Sequence, residues 1–119
     1  MHKEIYDDKN VFLKIINGTI PCEKILETKH CISFYSISPA ADIHALVVPK
    51  GKYTNFNSFQ AEASIEEKMD LFDAINQVAK KLEIKNKGYK ILSNVGKQVA
   101  MIPHVHFHVL HGNIDTSKT

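Results

Sequence analysis

Cysteine is scarce in this 119-residue chain, and long apolar runs are missing altogether. The two cysteines, Cys22 and Cys31, stand apart with no CxxC around either, which predicts reduced thiols in a cytoplasmic protein. No stretch approaches the ~18 apolar residues that a membrane span needs. The N-terminal MHKEIYDDKN has no apolar centre, so it does not read as a secretory signal. Charge of one sign is in short supply too. With 15 Lys+Arg against 13 Asp+Glu the net charge is +2, too little to argue for nucleic acid or an anionic membrane as partner. The lysines gathered at 50–52 and 80–90 read as a solvated loop and helix end. Repeats and low-complexity segments are absent.

What is present suits one ordinary globular domain over 1–119, with 1–9 and 113–119 as tails: 44% of the residues are apolar and 24% charged. Asn10 is placed to cap a short helix, VFLKIIN, that Gly18 and then Pro21 bring to an end. Residues 24–37 look extended, with β-formers in KILE and CISFYSI, and IHALVVP (43–49) reads as a mostly buried strand. The polar stretch 50–63 is predicted to be a loop. Ser64 with Glu67 forms a capping box for one long helix, whose apolar stripe Ile65, Met69, Phe72, Ile75, Val78, Ala79 and Leu82 is expected to pack on a sheet. YKILS (89–93) and HVHFHVLH (104–111) supply two further strands. Strands, a long helix, then more strands predict an α+β domain with an antiparallel sheet.

Four of the seven histidines fall within HVHFHVLH, residues 104–111. On a strand His104, His106 and His108 would share one face, and Val105, Phe107 and Val109 the apolar other. The outer two would lie about 13 Å apart, too far to meet on one zinc ion with ligand distances of about 2 Å. A metal site would need two of them and a third ligand from elsewhere, such as His44. A wet sheet face is the blander alternative, although three alternating histidines gain nothing there. Phosphoryl or nucleotidyl chemistry uses the pattern best. A neutral imidazole attacks phosphorus near pH 7, and flanking imidazoles donate hydrogen bonds to phosphate oxygens without a metal or other cofactor.

HVHFHVL resembles the signature of the histidine triad (HIT) superfamily. The segments NVFLKIINGTIPCEKILE, FYSISPAADIHALVVPK and NKGYKILSNVG resemble, in the same order, the rest of such a domain. The likeness is to the small histidine triad nucleotide-binding (Hint) branch. Related uridylyltransferases carry glutamine where His108 stands, and a dinucleoside polyphosphate hydrolase (Fhit-like) is the neighbouring alternative. The resemblance implies a HIT-like fold, a five-stranded antiparallel sheet with one long and one short helix, paired into a homodimer. It implies that His106 takes a transient nucleotidyl group, that His104 and His108 contact phosphate and orient it, and that His44 supports them. Asn94 would lie beside phosphate and sugar, while Val11, Phe12, Ile20, Phe34 and Ile37 would wall the base pocket of a purine nucleotide or nucleotidyl conjugate.

Three departures from the family pattern bear on activity. Ser36 replaces an aspartate that usually holds the ribose hydroxyls, so recognition there loses its charge. Ala100 and Met101 stand where a glutamine and a hydroxyl usually precede the first histidine, and Gln98 is the nearest substitute. Asn10 and Leu13 occupy positions where some members have zinc-binding cysteines, so no metal is expected. The intact triad points to an enzyme that hydrolyses nucleoside 5′-phosphoramidates or related conjugates. The altered positions point to a nucleotide-binding module with little turnover.

Overall fold

The sheet owes its arrangement to one buried central strand. The computed structural model describes residues 5–96 and 102–119. In chain order these residues form α1 (Val11–Ile16), β1 (Lys24–Glu27), β2 (Cys31–Tyr35), β3 (Ala41–Pro49), α2 (Phe56–Glu62), α3 (Ile65–Lys81), β4 (Lys90–Leu92) and β5 (Phe107–Ile114). A 3-10 turn at Thr116–Lys118 follows, where the sequence suggests only a tail. The five strands pair antiparallel in the order β1-β2-β3-β5-β4. Each strand expected from the sequence is there, although the last begins at Phe107 and not at His104. None of the helices among the described residues is long and apolar enough to cross a membrane.

Every residue of β3 from His44 to Pro49 is buried, and alternation divides them between two cores. Ala45 and Val47 point to the α3 side, where they join Ile25, Cys31, Phe107 and Val109. Leu46 and Val48 point the other way, toward Phe12 of α1 and Ile32 and Phe34 of β2. The even-numbered positions of β3 and β5 therefore share the α1 face, and His44 and His108 come with them.

The helix α3 packs across β1, β2 and β3 on one face. Its Ser64–Glu67 capping box forms as expected, with acidic residues in the first turn and Lys80 and Lys81 in the last, each sign matched to the helix dipole. The packed stripe differs from the sequence reading. Leu71, Ala74, Ile75, Val78 and Ala79 face the sheet, whereas Ile65, Met69 and Phe72 are 80%, 57% and 67% exposed. At 3.6 residues per turn those three lie roughly 60–120° to one side of Ile75, and small alanines take their place in the seam. Asp70 ties the helix to the β1–β2 turn, its carboxylate accepting from Thr28 Oγ1 at 2.6 Å and His30 N at 2.9 Å.

The predicted loop 50–63 contains α2, so the domain has one more short helix than expected. Asn55 caps it reciprocally with Ser58, and Phe59 anchors it in the core. The polar residues that suggest a loop are in fact the cap.

Candidate active site

α1 is six residues long and cannot cover its face of the sheet as α3 covers the other. A cleft of about 840 Å³ is left beside it. His44 enters from β3 and His108 from β5. Their strands pair so that Leu46 sits opposite His108 and His44 opposite Leu110, which makes the two histidines diagonal neighbours on one face. His106 lies just ahead of the β5 ladder, with its ring 5.0 Å from that of His108 and 4.8 Å from that of Phe12.

The hydrogen bonds fix which nitrogen of each ring carries the proton. Ala40 N–H donates to His44 Nδ1 at 2.9 Å, so the His44 proton is on Nε2. That N–H donates to His108 Nδ1 at 2.8 Å, which puts the His108 proton on its own Nε2. The His108 Nε2–H is buried and finds no acceptor among the described residues. His106 donates its Nδ1–H to the His104 carbonyl at 2.7 Å, leaving a lone pair on Nε2. Burial lowers the pKa of all four rings, and holds His104 and His108 down to about 4. Near pH 7 the cleft thus presents neutral imidazoles, one with a free lone pair and its neighbour with an unspent donor.

His104 departs from the sequence expectation. It does not share the strand face of His106 and His108, because the chain bends at 102–104 and the ladder begins only at Phe107. Its ring is 0% exposed, donating Nε2–H to the Pro49 carbonyl at 2.7 Å and accepting at Nδ1 from the Tyr6 hydroxyl. Neither ring nitrogen is left for a phosphate. What His104 offers His106 is its main-chain carbonyl.

Val11, Phe12, Ile20, Phe34, Ser36, Ile37 and Asn94 all line the cleft. Phe12 and Phe34 form its buried floor, whereas Ile37 projects fully into solvent and belongs to the rim rather than the wall. The Ser36 hydroxyl accepts from Ser38 N at 3.2 Å. Gln98, Ala100 and Met101 lie outside the described residues. Among the described residues no three of His, Cys, Asp and Glu are grouped as a metal ion would require. Several contributors escape a sequence reading. Ser93 Oγ donates to the His106 carbonyl at 2.7 Å, Cys22 and Glu23 line the cleft, and Ser117, Lys118 and Thr119 reach it from the C-terminal turn. Only the serine just before Asn94 had any signal, its place at the end of a predicted strand.

Comparison with known proteins gives this arrangement a context. The HIT domain model matches residues 17–114. A HIT-like protein of Helicobacter pylori is 48% identical over 105 residues, covering 87% of this chain and 97% of its own. An adenosine 5′-monophosphoramidase of Schizosaccharomyces pombe is 35% identical over 101 residues, covering 84% and 71% respectively. The solved structure of a HIT family hydrolase from Clostridium thermocellum superposes with a TM-score of 0.81 at 33% identity, covering 92% of this chain and 94% of that one. Matched by the family model over most of its length and by such relatives in sequence and shape, the chain belongs to the HIT domain family.

Proposed function

We propose that this protein is a nucleotidyl hydrolase acting on purine nucleoside 5′-phosphoramidates or related conjugates. His106 Nε2 attacks the phosphorus, a P–N bond forms to the ring, and the bond to the leaving amine breaks as the amine takes a proton from solvent. Water then attacks the same phosphorus, the bond to His106 breaks, and the nucleotide leaves while a proton returns to solvent. The His104 carbonyl on Nδ1–H stabilises the ring as it becomes cationic, and the His108 Nε2–H meets a phosphate oxygen as negative charge grows there. One observation carries the reading: the hydrogen bonds leave a lone pair on His106 beside a donor on His108. The phosphoramidase among the relatives supports the substrate class.

The first test is AMP release from adenosine 5′-phosphoramidate, for wild type and His106→Ala, with and without chelator, alongside intact-mass analysis of quenched samples. Release that survives chelator, a nucleotidyl adduct in the wild type, and a fall of at least ~10³-fold in the variant are expected. No release with nucleotide binding intact would sink the enzyme and favour the binding module. Ser36 supports that second reading, since it offers the ribose a neutral hydroxyl whose oxygen already accepts from Ser38 N.

We also infer a cytoplasmic homodimer. The exposed Ile65, Met69 and Phe72 on α3 and the short edge strand β4 with its exposed Ile91 support self-association, and the free thiols of Cys22 and Cys31 suit a reducing compartment.

A further inference from the structure

The nucleophile is held from outside the stretch that matches the family model. That stretch begins at residue 17, yet residues 5–16 form a strap that touches both His104 and His106. Tyr6 packs edge-on against the His104 ring and donates its hydroxyl proton to Nδ1. Burial raises the Tyr6 pKa, which keeps the phenol protonated and able to donate. Asn10 fixes the phenol in turn. Its Oδ1 caps α1 by accepting from Leu13 N at 3.0 Å, and its Nδ2 donates to the Tyr6 oxygen at 2.8 Å. The ion pair of Lys52 with Asp8, at 2.8 Å, fastens the strap to the loop after β3.

The chain of bonds has one direction: Asn10 to Tyr6, Tyr6 to the His104 ring, that ring to the Pro49 carbonyl. His104 lies ahead of the β5 ladder, where its ring contacts join the bond from Val105 N–H to the Tyr53 carbonyl, at 2.8 Å, in holding the segment. The His104 carbonyl is the acceptor for His106 Nδ1–H, so the placement of one residue decides the tautomer and aim of the other. We propose that Tyr6 is a positioning residue for the nucleophile, acting through His104 and itself aligned by Asn10. Neither Tyr6 nor Asn10 lines the cleft. This rests on the reading of His106 as nucleophile.

Two substitutions in the full chain test it. Tyr6→Phe keeps the ring packing and removes the donor. Asn10→Asp keeps the helix cap but removes the amide donor, and its carboxylate competes with His104 for the Tyr6 proton. In each, kcat for adenosine 5′-phosphoramidate is expected to fall about tenfold, the rate equivalent of roughly one lost hydrogen bond, with KM unchanged. In nitrogen-15 spectra the His106 Nδ1–H is expected to exchange slowly with water in the wild type and faster in both variants. Wild-type kcat and wild-type exchange in both variants would overturn the proposal. So would losses that merely track the unfolded fraction. A wild type that forms no nucleotidyl adduct defeats the nucleophile reading instead, and the His106 exchange rate still reports whether Tyr6 holds the ring.

Discussion

The two faces of the sheet are built from the same β3 and end in opposite roles. On one, a 17-residue helix covers Ala45 and Val47 with a seam that includes Ala74 and Ala79, and the buried Ser33 opposite Val47 spends its hydroxyl on the Leu46 carbonyl. On the other, a six-residue helix leaves His44, His106 and His108 beside a cleft. Helix length decides which face is only structural. The closed face contributes stability through area removed from water. On the open face some apolar side chains serve both ends, and Phe12 is the clearest, packed on Phe34 and against His106 at once.

Paired truncations separate the two faces. Phe12→Ala is expected to cost about 3–5 kcal/mol and also to lower kcat, since the His106 ring loses its neighbour. Leu71→Ala on the closed face is expected to cost about 2–5 kcal/mol with kcat unchanged. Urea denaturation with parallel kinetics checks both, and a kcat loss in Leu71→Ala would erase the distinction.

Acid acts on the buried histidines, on the cleft face at His108 and beside it at His104. Their pKa values are lowered in the fold, so the unfolded chain binds protons first as pH falls. The stability carried by His104 and His108 is complete above about 6.5, their ordinary value, and is lost progressively toward about 4. The urea midpoint should therefore drop between pH 7 and pH 4.5, and less so in His108→Gln. An unchanged slope in that variant would remove His108 from the account.

The smallest change in stability is expected at Phe72, which stands on α3 outside the packed seam. Phe72→Glu should shift monomer stability by less than about 0.5 kcal/mol, while sedimentation is expected to show loss of the proposed dimer. A dimer that survives the charge would place the contact elsewhere.

Much of the fold could be read from residue order because period and caps announce it. The strands of CISFY and IHALVVP and the Ser64–Glu67 box are local patterns, and the structure keeps them. The errors share one cause, which is that local pattern says nothing about where neighbours lie. Ile65, Met69 and Phe72 have helical spacing, but tertiary packing chose the alanines beside them. Asn55 and Ser58 are turn formers by composition and helix caps by geometry. His104 has the parity of a strand residue, yet the chain bends before the ladder begins. Tyr6 carries no sequence signal at all, since its partner is 98 residues away.

That remoteness is general in this site and has a kinetic meaning. His44 and His108 are 64 residues apart in sequence and meet only because β3 pairs with β5. Closing so large a loop costs chain entropy before any contact repays it, which makes such pairings slow to form. The bond from His44 to His108 is therefore absent from the nascent chain until β5 leaves the ribosome. The histidine pair and the completed topology arrive together, so a partly folded molecule lacks the bond from His44 to His108.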